Sequence, residues 1–211
     1  VGTRTVLVWR HGQTAWNAQR RFQGQLDVPL DDLGREQAAR AASLLVGFSP
    51  SAIVCSDLVR ARETAQALAD LTGLPVATDP RLREIDVGAW QGLTFEEVSE
   101  RFPAEAAEWR DGGDGRRGGG ESLVEVGARG VAAVDDALAS LADGGTLVVV
   151  THGAAGRAIV AQMIGLPTPN WRSLGSLANC CWSLMREAPS GWRLFDHNAG
   201  SVPEVVVGDD R

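Results

Sequence analysis

The sequence predicts an α/β fold: a three-layer sandwich, a mostly parallel central sheet with helices on both faces and a small inserted cap. Two β-branched runs, residues 5–9 (TVLVW) and 146–151 (TLVVVT), are short and continuous, as strands buried on both faces are. Each run ends at a polar residue followed by His-Gly. Between them lie stretches with apolar residues at helical spacing, and strands alternating with helices build a largely parallel sheet covered on both sides.

Taken in order, residues 5–9 form the first strand. Residues 34–46 carry Ala38, Ala41, Ala42 and Leu45 on one stripe and read as a helix. A weaker β-branched run at 53–56 reads as a further parallel strand. Residues 58–71 follow as a helix with Ala61, Ala65, Leu68 and Ala69 on one face. Thr94-x-x-Glu97 and Ser122-x-x-Glu125 are capping boxes that open helices near 95–102 and 123–142. Residues 153–164 read as a helix stopped by Gly165, with Pro167 beyond. Residues 181–185 and 192–197 flank Ala188-Pro189-Ser190-Gly191 and form a late antiparallel pair. The segment 111–120 holds six glycines and reads as flexible, with Arg116 and Arg117 in a solvated loop. The whole chain, 1–211, reads as one domain, with residues from about 88 to 130 forming the cap.

Composition narrows the function. The formal charge is −7 with a pI near 5.0, which argues against nucleic acid or an anionic membrane as partner. All 20 basic residues are arginine, so an anionic ligand must be held by a local arginine cluster. No apolar run approaches the ~18 residues of a membrane-spanning helix. The N-terminal apolar stretch is also too short for a signal peptide. Cys55, Cys180 and Cys181 form no CxxC pair and no even framework, so the expectation is a reducing, cytoplasmic setting with free thiols. No metal-ligand spacing is present, and no cofactor is expected. Asp135-Asp136 and Asp209-Asp210 read as solvated charges, and His197 as structural. Trp9, Trp90, Trp171 and Trp182 read as core, whereas Trp16, close behind His11, is the tryptophan expected to line a pocket.

Ligands of open α/β sheets bind beyond the carboxyl ends of the strands. Here those ends carry Arg10-His11-Gly12 and Thr151-His152-Gly153, and the third leads into Ser56-Asp57-Leu58-Val59-Arg60. One edge thus gathers two histidines and two arginines; a single such junction also reads as a hydrogen-bonded structural histidine, and two at matching positions, each with an arginine able to converge, weaken that reading.

Arg10-His11-Gly12-Gln13-Thr14 with Asn17 resembles the signature of the histidine phosphatase superfamily, which includes the cofactor-dependent phosphoglycerate mutases. The resemblance continues in order through Gln23-Gly24, Ser56-Asp57-Leu58-x-Arg60-Ala61-x-x-Thr64-Ala65 and Leu82-Arg83-Glu84. It then covers Gly88-x-Trp90-x-Gly92, Gly120-Glu121-Ser122 and Thr151-His152-Gly153, and so spans nearly the whole chain. It implies a phosphomonoesterase acting on a small phosphorylated metabolite through a phosphohistidine on His11. Glu84 would be the general acid and base, and Arg10, Arg60 and His152 would hold the phosphoryl oxygens. Gly12, Thr14, Asn17, Gln23, Gly24 and Gly153 would surround the substrate. Arg83-Glu84 read without the resemblance is a surface ion pair of little energy.

A mutase is the alternative, and a silent phosphate-binding protein a second. Mutases of the family usually carry a longer cap with a lysine, and this chain has no lysine. The C-terminal Asn170-Trp171-x-x-Leu174-Gly175, with Asn179, Trp182 and Trp192-Arg193-Leu194, resembles one phosphatase group within the superfamily. That group implies a sugar-substituted phosphoglycerate as substrate and a homodimer.

Overall fold

The computed structural model describes residues 2–200; Asp209 and Asp210 lie outside them. Six strands form one sheet in the order β3-β2-β4-β1-β5-β6. These are β1 (Thr5–Arg10), β2 (Ala52–Cys55), β3 (Val76–Thr78), β4 (Thr146–Thr151), β5 (Trp182–Ala188) and β6 (Gly191–Ala199). The four strands from β3 to β1 are parallel, β5 pairs antiparallel with β1, and β6 pairs antiparallel with β5 at the edge. The helices are α1 (Ala15–Ala18), α2 (Asp32–Leu45), α3 (Val59–Thr72), α4 (Phe95–Arg101), α5 (Pro103–Arg110), α6 (Leu123–Ala139) and α7 (Gly153–Met163). Among the described residues no helix is long and apolar enough to cross a membrane.

Alternation along the two central strands divides the core. Leu7, Trp9, Val148 and Val150 pack with the alanine stripes of α2 and α3 and with Trp182. Val6, Val8, Leu147 and Val149 pack on the other face with Val134 and Leu138 of α6 and Ile159 and Val160 of α7. A third cluster joins Phe22, Trp90, Val98 and Trp109 to the alanine face of α7, beyond the carboxyl edge of the sheet. The four tryptophans expected in the core are all buried.

The register of β1 and β4 decides where the chemistry sits. Thr5 lies opposite Thr146 and Arg10 opposite Thr151, so both His-Gly junctions emerge side by side. The His11 amide donates to the Thr151 carbonyl at 3.0 Å, and the Ser56 amide to that of Val150 at 2.9 Å.

Several expectations need correction. Helix α2 begins two residues before Gly34, because Asp31 caps it by accepting the Gly34 amide at 2.7 Å. Helix α6 ends at Ala139, short of 142. Strand β3, the single turn α1 and helix α5 were not anticipated. The segment 111–120 is packed rather than loose. Asp114 accepts the Leu123 amide at 2.6 Å, and Glu105 accepts that of Gly118 at 2.9 Å. Its glycines allow close backbone approach: a Cβ on Gly118 would stand 2.4 Å from the Val87 carbonyl oxygen. Arg117 is buried with its guanidinium 5.6 Å from the Trp109 ring, and Arg116 pairs with Glu125.

Gly12 and Gly34 bring two backbones into contact behind His11. A Cβ on Gly34 would lie 2.0 Å from the Gln13 carbonyl oxygen, and one on Gly12 would lie 2.3 Å from that of Gly34. Helix propensity alone favours alanine at 34 by about 1 kcal/mol. The clash outweighs it, since both contacts are backbone and neither can swing aside. Gly34→Ala is expected to destabilise the fold by about 1–3 kcal/mol in urea unfolding. A variant as stable as the parent would contradict the close approach.

Candidate active site

The site lies at the carboxyl edge of β1, β4 and β2, where the first turns of α3 and α7 begin. Burial is the first fact about its polar groups: Arg10, His11, Asn17, Gln23, Arg60, Glu84 and His152 are all buried. Charged and polar groups withdrawn from water must be partnered or be held for a ligand.

His11 Nδ1 lies 2.7 Å from the Gly12 carbonyl oxygen. A carbonyl can only accept, so Nδ1 carries the proton and Nε2 keeps its lone pair. Burial pushes the His11 pKa well below its usual value, and the Arg60 and Arg10 charges push it further. The ring is therefore neutral at pH 7, with one defined nucleophilic nitrogen. The Asn179 side-chain amide donates to the His11 carbonyl at 3.0 Å and fixes the backbone of this junction.

His152 stands beside it, with ring centroids 5.1 Å apart and planes tilted by 60°. Its pKa is also held well below the usual value, by burial first and then by Arg60, His11, Arg10 and Arg129. Neither His152 ring nitrogen has a hydrogen-bond partner, nor does Arg10 Nε. An unmade bond at a buried polar group costs about 1–3 kcal/mol, and the two donors among these atoms, Arg10 Nε and the one N–H of the neutral His152 ring, mark a place built for an acceptor.

The arginines are aimed by carbonyls. Arg10 donates to the Leu177 carbonyl at 2.6 Å, and Arg60 to those of Leu26 and Gly24 at 2.8 and 2.9 Å. Gly24 therefore orients Arg60, and its φ of +53° suits a glycine. The Gly12 amide donates to Thr64 Oγ1 at 3.1 Å, tying the His11 loop to α3.

Thr14 caps α1 and organises two amides. Asn17 Oδ1 takes the Thr14 amide at 3.1 Å, and the Thr14 hydroxyl reaches Asn17 Oδ1 and Gln23 Oε1, each at 3.1 Å. Both amide oxygens are thus engaged by Thr14, and the NH₂ groups are the donors that Asn17 and Gln23 can offer an anion.

Glu84 is not in a surface ion pair. Arg83 instead forks Asp57, at 2.7 and 2.6 Å. The Glu84 carboxylate accepts the amides of Ile85 and Ala155 on one oxygen, both at 2.9 Å, and that of Ala154 on the other at 3.2 Å. It rests on the first turn of α7, whose amides, unpaired within the helix, hold its two oxygens in place. Gly153 opens that helix beside His152.

His197 lies away from this cluster, bonded to Ser183 at 2.9 Å and to the Gly175 carbonyl at 2.7 Å. Trp16 is half-buried against Gly92. The structure joins none of the three cysteines in a disulfide, and burial pushes the Cys55 thiol up to about 12. Sequence reading gave no role to Thr64 or Arg129.

Two neutral buried histidines make stability depend on pH. Above about pH 6.5 both are neutral folded and unfolded, and contribute no slope. As pH falls below that, the unfolded chain binds protons that the fold refuses, so the native state loses stability. Each histidine contributes at most about 1.4 kcal/mol per pH unit. Urea unfolding between pH 7.5 and 5.5 is expected to show the loss, with a shallower slope in His152→Ala. The partnered carboxylates of Asp57 and Asp79 are held below the usual range and titrate outside this window. A flat profile would contradict the neutral pair.

Residues 6–200 match the histidine phosphatase superfamily (branch 1). A glucosyl-3-phosphoglycerate phosphatase of Mycolicibacterium vanbaalenii is 44% identical over 208 residues, covering 96% of this chain and 91% of that protein. A Yersinia pestis protein named probable phosphoglycerate mutase GpmB is 38% identical over 197 residues, covering 89% of each. Among solved structures, a mycobacterial glucosyl-3-phosphoglycerate phosphatase complexed with VO3 superposes with a TM-score of 0.88 at 41% identity. That match covers 93% of this chain and all of the other. Sequence, fold and the paired His-Gly junctions agree, and the chain belongs to the histidine phosphatase superfamily.

Proposed function

We propose that the chain is a phosphomonoesterase working through a phosphohistidine on His11. One observation carries this reading: a neutral His11 with Nδ1 pinned, beside buried donors on His152 and Arg10 that have no partner. A phosphoryl group supplies the acceptors these donors lack. Its loose transition state spreads charge over three oxygens, which Arg10, Arg60, His152 and Asn17 stabilise.

In the first step the His11 Nε2 lone pair attacks phosphorus, the bond to the ester oxygen breaks, and Glu84 protonates that oxygen. The positive charge growing on the ring is met by the Gly12 carbonyl at Nδ1. In the second step Glu84 takes a proton from water, the water oxygen attacks phosphorus, and the P–N bond breaks. Inorganic phosphate leaves and His11 returns to its neutral form.

The substrate we propose is a glycerate bearing a phosphate and a sugar. The support is the resemblance of the C-terminal segment and the name of the Mycolicibacterium relative. The proposal includes the segment from about 88 to 130 as a cap over the site, a homodimer and a cytoplasmic location. Phosphate release from a panel holding glucosyl-3-phosphoglycerate, 3-phosphoglycerate, simple sugar phosphates and nucleotides tests the substrate. The sugar-substituted glycerate is expected to rank first in kcat/KM. Simple sugar phosphates or nucleotides far ahead would overturn that assignment. Isomerisation of a phosphoglycerate without phosphate release would point to the mutase.

A further inference from the structure

We infer that Arg129, locked to Glu121, is the positioning residue that sets where the Glu84 carboxyl stands; this rests on reading Glu84 as the proton-transfer group. Glu84 lies on an irregular stretch between two 3-10 turns, Pro80–Leu82 and Gly88–Trp90. No strand ladder holds that stretch, so its backbone groups need other partners.

Four consecutive carbonyls are taken by side chains from behind. Arg129, on α6, donates Nη1 to the carbonyls of Arg81 and Arg83, each at 2.7 Å, and Nη2 to that of Glu84 at 2.9 Å. The Leu82 carbonyl accepts from Thr151 Oγ1 at 2.9 Å, beside His152. Arg129 is itself fixed, because Nε and Nη2 fork the Glu121 carboxylate at 2.8 Å each. Glu121 closes the frame on the far side of Glu84. Its carboxylate accepts the Asp86 amide at 2.9 Å, and its own amide donates to the Asp86 carbonyl at 2.8 Å.

One planar guanidinium therefore holds three carbonyls and a carboxylate in fixed relative positions. A lysine ammonium is a point charge with three donors and cannot span that set. The consequence is kinetic. A proton donor must meet the leaving oxygen within hydrogen-bond reach, and a displacement near 1 Å can cost about 10²-fold in rate.

The test compares Arg129→Lys and Glu121→Gln with Arg4→Lys as control. Arg4 forks Glu187 at 2.7 and 2.6 Å and reaches the Leu138 carbonyl at 3.3 Å, at the opposite end of β1. Each variant is assayed on an alkyl phosphate, whose leaving group needs a proton, and on p-nitrophenyl phosphate, whose leaving group does not. Arg129→Lys is expected to lower kcat for the alkyl ester about 10- to 100-fold, with KM and vanadate inhibition within about 3-fold. The initial burst of p-nitrophenol is spared. Glu121→Gln shows the same pattern more weakly and keeps the test open should the lysine variant not fold. Arg4→Lys lowers stability without separating the two esters. Equal losses in the rate of His11 phosphorylation by the two esters, or no loss, in a folded Arg129 or Glu121 variant overturn the inference. Glu84→Gln run alongside separates the failures. If it does not distinguish the esters, the reading of Glu84 falls; if it does and the Arg129 and Glu121 variants do not, only the positioning role falls.

Discussion

His11→Ala is expected to remove turnover almost entirely, by at least about 10⁴-fold in kcat for every phosphomonoester that the parent cleaves. The size follows from what the side chain supplies. In the proposed mechanism it is the nucleophile, and its ring comes with the tautomer fixed and the charge state set: Nδ1 is bonded to the Gly12 carbonyl at 2.7 Å, and burial with two neighbouring arginines keeps it neutral. Alanine leaves Arg10, Arg60, His152 and Asn17 in place, so phosphate and vanadate should still bind. The measurement is kcat with an inhibition constant for vanadate. Loss of rate with retained binding is the expected pair. Loss of both would mean that the substitution had disturbed the arginines, and retained rate would remove His11 from the mechanism.

Glu84→Gln is the second large effect, and its character matters more than its size. General acid–base assistance is worth about 10²- to 10⁴-fold, and that loss is expected for alkyl esters. With p-nitrophenyl phosphate the leaving group departs unaided, so His11 is still phosphorylated. Water then attacks slowly, since no carboxylate accepts its proton, and a burst of one p-nitrophenol per site precedes a slow steady state. The amide also meets a local problem. Three backbone amides point at the carboxylate, and a Gln NH₂ must face one of them. The expected arrangement keeps the two 2.9 Å bonds on one oxygen and loses the 3.2 Å bond from Ala154, with a modest fall in thermal midpoint. A variant in which phosphorylation of His11 is slowed equally for both esters, with no burst of p-nitrophenol, would contradict the proton-transfer role.

How much of this was legible beforehand depends on how local the information is. The two histidines were, because β1 and β4 are continuous β-branched runs that end in the same His-Gly junction. Sharing a register brings those ends together. The helices α2, α3, α6 and α7 carry broad stripes of buried residues and stood out accordingly. Strand β3 has three residues with only Val76 half-buried, and α5 buries only Ala106 and Trp109, so neither leaves a periodic trace. Pro103 at the first position of α5 was the one readable sign of a helix start.

The site divides in the same way. Glu84 sits on backbone without regular structure, and its neighbour Arg83 reads as its partner although it pairs with Asp57. Only the family resemblance singled Glu84 out. The glycines of 111–120 read as freedom, yet Gly118 and Gly120 serve close contact with residues 86–90, a distinction made by packing and not by composition. Arg129 is a lone arginine in mid-helix. Nothing in its spacing separates it from a solvated charge, because its three carbonyl partners lie 45 to 48 residues away.

The central claim is that the phosphoryl group passes through Nε2 of His11. The most direct measurement uses Glu84→Gln with ³²P-labelled p-nitrophenyl phosphate, quenched during the slow phase and resolved into phosphohistidine isomers. The account predicts close to one label per site, on Nε2 of His11. A burst of p-nitrophenol with no label, or label on Nδ1 or on another residue, would contradict it.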